Sequence, residues 1–463
     1  MAIQDTYFLN YEKALEVAKQ QNKIDPWKVQ ICYYDGKKVE NTLPNLIHLP
    51  LDDFINSLTY GMHRLPQEIN FENTSLSQEE QNEITLFFMY ALEEIEIIRD
   101  NINTQAIKLI KEAKLNFNEQ LRVYIPAHAM TQVMQHVAKA IAFEFESMGC
   151  KVLYNLNQGT QNFFIPKLLE FNPHIIMNIN HLNNEFLSKD VFNFVWFQDL
   201  MPFLQDPNPN NLRERDIIFS LLPIFDKLLE RKNIPYYRQG FCVNEQIYKL
   251  NPNIKRSKKI VFIGSSYKKN IPDTPSIKKA SDELKKMFLD GKSFNEETSL
   301  SIAKKYKLDF HFVHHRFIPY IIRDIGVLEL CKIQTDYEIE IYGYGWETYS
   351  ELKAYYKGIL KYGQEIADIY NSATFSFAPH QQYTLQQRTF EAAACGAIPI
   401  VYDSREISKE DSYEEALCYY RTLVDLEQIL NNDTPQKDFT KLLKDHTYKA
   451  FVDKMLTIVK ENT

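Results

Sequence analysis

Apolar positions along this 463-residue chain fall into two rhythms. Up to about residue 118 no strand–helix alternation repeats. The clearest element there is a long helix, in which Ile84, Phe87, Phe88, Tyr90, Ala91, Leu92, Ile95 and Ile98 recur at helical spacing. Ser77, with Glu80 three residues on, has the spacing of a capping box at its start. From Leu121 the rhythm changes. Val123-Tyr124-Ile125 reads as a short buried strand, Pro126 to Met130 as a turn, and Thr131 to Met148 as an amphipathic helix stopped by Gly149. Lys151 to Tyr154 is the next strand, and apolar runs at 174–179, 192–197 and 216–222 continue the pattern. Strand, helix, strand in repetition predicts a parallel, doubly wound sheet.

A polar, basic stretch from Asn251 to Lys259 reads as a linker, after which the pattern restarts. Lys259 to Ile263 is a strand followed by Gly264-Ser265-Ser266. A helical stretch fills Ser276 to Leu330, interrupted between Gly291 and Asn295. Strands follow at Glu338–Tyr342, Thr374–Phe377 and Ile398–Tyr402, and Phe439 to Val459 reads as an amphipathic helix. The expected organisation is a mostly helical accessory region (1–118), a first Rossmann-like domain (119–250), a second (251–435) and a C-terminal helix (436–463) packing across the domains.

Charge and cysteine usage narrow the function classes. The net charge is −8, with 53 basic residues scattered among 61 acidic ones, which argues against a nucleic-acid partner. The six cysteines stand far apart without a C-x-x-C pair, as expected for reduced cytosolic thiols. No apolar run approaches the roughly 18 residues of a membrane span, and Met1-Ala2-Ile3-Gln4-Asp5 lacks the basic start of a signal peptide. A cytoplasmic location is expected.

The most informative segment is FAPHQQYTLQQRTFEAAACGAIPIVYD, Phe377 to Asp403. A strand ends near Pro379 and a loop delivers Thr384 to a helix. Thr384 and Gln387 have capping-box spacing, so the helix is predicted to begin at Leu385 and to stop at Gly396. The amides of its first turn, around Leu385 and Gln386, and the positive end of its dipole suit a phosphate anion. Arg388 and Glu391, three apart, share one face. The cation can neutralise a pyrophosphate leaving group, and the carboxylate can accept hydrogen bonds from ribose hydroxyls.

This helix, followed by Ala394-Cys395-Gly396 and Ile398-Pro399-Ile400-Val401, resembles the donor-binding signature of GT-B glycosyltransferases, and more narrowly their CgeB-like, spore-maturation-protein branch of bacterial type. Phe262-Ile263-Gly264-Ser265-Ser266-Tyr267 resembles the opening strand and loop of that family's C-terminal domain. Ile341 to Trp346, Gly358 to Gly363, Ile369 to Ala373 and His446-Thr447 resemble further pieces in the family's order. The resemblance spans roughly residues 121 to 460 and is strongest from 259 to 403. It departs at Tyr383 and Thr384, where many retaining members carry a second glutamate.

The resemblance implies an α/β fold of two Rossmann-like sheets facing a cleft, and transfer of a sugar from a nucleotide-diphosphate donor to an acceptor (protein, glycan or small molecule), without a tightly bound cofactor or a metal. The donor-side residues are Gly264, Ser265 and Ser266, Lys268, Tyr344, Thr384, Leu385, Gln386, Arg388 and Glu391. Candidate catalytic groups are His128, after the first strand of the first domain, and Asp199, after Phe192–Phe197, because ligands gather at the carboxyl ends of strands and a histidine of near-neutral pKa can deprotonate a hydroxyl. His311, His314 and His315 look like a metal cluster, but their apolar flanks favour a structural role. No Walker loop, G-x-G-x-x-G or strand-end Asp-x-Asp is present. Two alternatives share the fold: a nucleotide-sugar epimerase, and a catalytically inactive surface-assembly or scaffold protein.

Overall fold

The computed structural model describes residues 4–24, 29–34, 43–60, 63–128, 132–157, 164–380, 383–408 and 411–463. The chain divides into two compact units, one holding residues 1–220, 225–237 and 457–463, the other 221–224 and 238–456.

The first unit contains two parallel sheets. The N-terminal one has strands β1 (Thr6–Phe8), β2 (Ile31–Tyr33), β3 (Leu46–His48) and β4 (Glu68–Asn70) in the order β3-β2-β1-β4, with helix Tyr11–Ile24 between β1 and β2. The region up to residue 118 is largely helical, as expected, and also carries this small sheet, which the sequence reading did not include. Strands of three residues are too short to show a period-two pattern against their surroundings. The long helix runs from Gln78 to Glu112, and both hydrogen bonds of the Ser77–Glu80 capping box are present. Its first half packs Phe88, Ala91 and Ile95 with Tyr7 and Phe54. Its second half packs Ala106 and Ile110 with Tyr124, Ile165 and Leu168 of the neighbouring α/β layer.

That layer is built on β5 (Arg122–His128), β6 (Lys151–Asn157), β7 (Ile175–Ile179), β8 (Phe192–Phe197), β9 (Asp216–Ser220) and β10 (Tyr237–Arg238), ordered β10-β9-β8-β7-β5-β6. All six residues of β8 are buried, as expected of a strand covered on both faces. β5 continues through His128, where the sequence predicts a turn at Pro126. It pairs with β7 only at Val123 and Tyr124 but with β6 along its whole length. Beyond Tyr124 no second ladder partner is found among the described residues, and a strand position without one tolerates a proline.

The second unit is organised by β11 (Ser257–Ile263), β12 (Glu338–Tyr342), β13 (Tyr356–Gly358), β14 (Ala373–Ala378), β15 (Ile398–Tyr402) and β16 (Cys418–Tyr420), all parallel, in the order β13-β12-β11-β14-β15-β16. The chain winds outward from β11 to β13, then returns to the other side of β11 with β14. The loops leaving β11 and β14 thus diverge, which opens a crevice at their carboxyl ends. The helical stretch after β11 forms Pro275–Leu289, Glu296–Tyr306 and a longer run from Phe310 to Leu330. Pro319 lies within that run, between two π-helical turns, Val313–Phe317 and Ile321–Ile325. Proline lacks the amide that an α-turn needs, and widened turns absorb the mismatch. The predicted tail helix is split into Thr440–Lys444 and Tyr448–Glu461. At the break, His446 stacks on Phe390, ring centroids 4.3 Å apart, and its Nδ1 lies 3.0 Å from the Phe241 carbonyl oxygen.

The loops after β11 and β12 touch backbone to backbone. Gly264 N donates to Tyr342 O (3.0 Å) and Ser266 N to Tyr344 O (2.8 Å). A Cβ on Gly343, at φ +131°, would stand 2.2 Å from the Gly264 carbonyl oxygen, whereas one on Gly358, at φ +103°, meets nothing within 4 Å. Both replacements by alanine are strained, but only Gly343→Ala forces the two loops apart. Gly343→Ala is expected to cost about 3 kcal/mol or more and Gly358→Ala about 1 to 2 kcal/mol, as two separable drops in calorimetric Tm.

Candidate functional site

At the divergence of β11 and β14 lies a cavity of about 290 Å³, whose wall includes Tyr267, Asn270, His315, Arg316, Arg323, His380, Tyr383 and Gln386. Three elements build it. The loop after β11 supplies Tyr267 and Asn270, the loop after β14 supplies His380, and the two π-helical turns carry Arg316 and Arg323.

Arg323 is 9% exposed, and among the described residues the contacts of its guanidinium are with uncharged groups. It donates to Ser265 O (3.3 Å), lies 4.0 Å from the centre of the Tyr267 ring, and sits 3.1 Å from His380 Nδ1. A guanidinium only donates, so His380 Nδ1 accepts and the imidazole is neutral with its proton on Nε2. Burial and then the Arg323 charge hold the His380 imidazole well below its usual range. Burial likewise lowers the pKa of Arg323; Tyr267 and Asp324 oppose that fall, and the nearby charge of Arg388 adds to it. The Arg323 Nε is buried without a hydrogen-bond partner among the described residues.

The neighbouring carboxylate is committed elsewhere. Asp324, fully buried, accepts from Ser266 Oγ (2.5 Å), Tyr267 N (3.0 Å) and Tyr349 Oη (2.8 Å). Burial raises its pKa against the lowering effect of these bonds. Ser266 Oγ in turn accepts from Lys268 N (3.1 Å), so one carboxylate fixes the whole turn after β11. Gly264, Ser265 and Ser266 form that turn. Trp346 is buried and donates from Nε1 to Gly264 O (2.7 Å). Lys268 turns aside to the Tyr349 ring, 4.1 Å from its centre, and Tyr344 is 63% exposed.

The donor-helix candidate spans Gln387–Ala394, with Gln386 as its N-cap and no side-chain cap bond. The predicted start at Leu385 with a Thr384–Gln387 capping box is therefore corrected. Thr384 is buried and its carbonyl accepts from Thr389 Oγ1 (2.9 Å), and Leu385 precedes the helix. Gln387 turns its side chain along the helix, donating from Nε2 to Glu391 Oε1 (3.0 Å) and Tyr362 Oη (3.1 Å). Arg388 pairs with Glu391 Oε2. The Glu391 side chain is 0% exposed and that of Arg388 30%. Burial pushes the Glu391 carboxyl up, against the lowering effect of Arg388. Burial also works against the Arg388 charge, but Glu391, Tyr370 and Tyr248 outweigh it and raise its pKa. Gln386 thus reaches the cavity wall, while Arg388 and Glu391 hold each other beside it.

In the first unit, Asp199 follows β8, is exposed, and accepts from Asn180 Nδ2 (2.7 Å). His128 ends β5, and its side chain lies outside the described residues. His314 Nδ1 is 2.8 Å from Ser299 Oγ, whereas His315 reaches the cavity wall. Among the described residues no group of three or more His, Cys, Asp and Glu is placed to hold a metal ion. None of their helices is long and apolar enough to cross a membrane.

Arg316, Arg323 and His380 escape the sequence reading. Two signals mark them in retrospect. Arginines seven apart flank Pro319 in an otherwise apolar helical run, and His380 directly follows the Ala378-Pro379 strand exit.

Residues 326–457 match the model of a family described as glycosyl transferase-like. No curated protein matches the chain. Among solved structures, sucrose-phosphate synthase from Thermosynechococcus elongatus is 10% identical over 74% of this chain and 99% of its own (TM-score 0.45). A glycosyltransferase from Rickettsia africae is 11% identical over 74% and 98% (TM-score 0.44). The Anabaena protein HepE, solved with UDP and glucose, is 8% identical over 74% and 100% (TM-score 0.43).

The depressed His380 pKa has a consequence for stability. The unfolded imidazole takes up a proton near its ordinary pKa of about 6.5 while the folded one resists. The stability contribution is therefore present above that pH and is lost as pH falls. His380→Gln is expected to flatten the acid side of the stability profile by up to about 1.4 kcal/mol per pH unit, read from urea midpoints between pH 7.5 and 5.5.

Proposed function

We propose that this protein is a GT-B-type glycosyltransferase that moves a sugar from a nucleotide-diphosphate donor to an acceptor hydroxyl. The observation that carries the reading is the buried Arg323, whose contacts among the described residues are with uncharged groups, in the wall of a cavity at a topological switch point. A cation so placed calls for an anion, and the glycosyl transferase-like match over residues 326–457 supports reading that anion as an activated sugar.

In this reading the diphosphate lies against Arg323, Arg316 and the first-turn amides of Gln387 and Arg388, with the His380 Nε2–H as a neutral donor. These groups are set before the reaction and stabilise the charge that develops on the departing nucleoside diphosphate. Guanidinium charge, in our assignment, takes the part a metal ion plays in other transferases. Arg388 leaves Glu391 for the phosphate when donor binds, and the freed carboxylate takes the ribose hydroxyls. Asp199 and His128 of the first unit are assigned to deprotonating the acceptor.

A thermal-shift screen of UDP-, GDP-, ADP-, dTDP- and CMP-sugars tests this. One donor is expected to stabilise the protein by about 2.7 kcal/mol at a hundredfold excess over its Kd. Arg323→Ala is expected to weaken that donor roughly 10- to 100-fold, the loss of a charge-assisted hydrogen bond. Stabilisation by none of these donors sinks the reading. An unchanged shift in Arg323→Ala and Arg388→Ala means the diphosphate binds elsewhere.

A further inference from the structure

We propose that the outer face of helix Gln78–Glu112 is a docking surface for a basic, amphipathic helix of another protein. The surface lies wholly within the first unit and does not depend on the transferase reading. The inner face of the helix is already occupied, where Phe88, Ala91 and Ile95 pack with Tyr7 and Phe54. At about 100° per residue, Leu86, Tyr90 and Ile97 fall within roughly 40° of one another on the opposite side, and Met89 flanks them. All four are more than half exposed: Leu86 54%, Met89 63%, Tyr90 70% and Ile97 57%.

A solvated helix face carries polar and charged residues, and tyrosine and isoleucine are poorer helix formers than the glutamate, lysine and glutamine that fill such positions. Helix propensity therefore does not account for them. Single exposed apolar side chains need no explanation, whereas a contiguous set framed by charge marks an interaction site. The stripe from Leu86 to Ile97 is about 17 Å long and one side chain wide, which is the footprint of a single helix.

Charge identifies the occupant. Between Gln78 and Ile98 stand six glutamates (Glu79, Glu80, Glu83, Glu93, Glu94 and Glu96) and no lysine or arginine. All six are exposed. Glu80 closes the capping box, and among the described residues none of the six forms an ion pair. Glu93 falls within the stripe, between Tyr90 and Ile97, with Glu83 and Glu94 along one side. The matching occupant has an apolar face interrupted and flanked by cations. A second copy of this face would bring the same glutamates against each other, and an anionic bilayer would be repelled.

The test uses the intact protein and a fluorescent synthetic peptide of about 18 residues, five helical turns, with leucines at helical spacing and lysines elsewhere. One companion peptide replaces every lysine by glutamate, and another scrambles the order so that no apolar face forms. Read by fluorescence anisotropy, the basic amphipathic peptide is expected to bind at least tenfold more tightly than either companion. Replacing Leu86→Ser together with Tyr90→Ser is expected to weaken it at least tenfold, with Tm unchanged because both side chains face solvent. Reversing charge with Glu83→Lys, Glu93→Lys and Glu94→Lys is expected to make the glutamate companion the tightest binder, a readout that stands even if the serine variant loses stability. No binding by the wild type, equal binding of the scrambled peptide, or unaltered affinities in both variants overturns the proposal. Self-association in sedimentation velocity that Leu86→Ser abolishes gives the face to a second copy, and adsorption to phosphatidylglycerol vesicles that it abolishes gives the face to a lipid surface; either result overturns it too.

Discussion

Burying a guanidinium without a carboxylate against it is costly, and the core of the second unit is arranged around that constraint. The nearest acid in sequence, Asp324, faces away from Arg323 to hold the turn after β11. A neutral imidazole, a carbonyl and a tyrosine ring receive the charge instead. Every one of these contacts is weaker than an ion pair, and this is the ground on which we propose an anion as the ligand of the site. The same geometry explains why His380 is neutral.

The placement of that charge depends on helix geometry. Arg316 and Arg323 each lie in a widened turn, with Pro319 between them. An unbroken α-helix carries residues seven apart about 20° out of line, and π-turns, each with its extra residue, change that offset. A proline that reads as a helix defect is thus the element beside which both arginines come to the cavity wall.

The long-range architecture was largely legible in the sequence. Both six-stranded sheets announce themselves through strands such as Phe192–Phe197 and Ile398–Tyr402, which are buried on both faces and read as continuous apolar runs. The three-residue strands of the N-terminal sheet were not legible, because their pattern is shorter than one period of the signal. Pro126 misled for a different reason: a turn and a strand position without a second ladder partner both accept proline. Within the site, chemistry near a recognisable motif was visible and chemistry brought by a distant helix was not. Thr384 fits a capping box by spacing, yet it is buried and the helix opens two residues later than Leu385. The pair Arg388 and Glu391 lies on one helix face, as i, i+3 spacing requires, but nothing in that spacing reveals that the carboxylate is sealed from water.

The helix Gln78–Glu112 serves two cores, one around Phe88 and Ile95, the other around Ala106 and Ile110. The first hundred residues are for this reason no detachable appendage. Cutting the chain ahead of β5 would strip a wall from Tyr124 and Leu168 and leave an oily scar on the sheet that carries Asp199. Whatever task the N-terminal sheet performs, its inheritance is bound to that of the neighbouring α/β layer, and the two must have been shaped together.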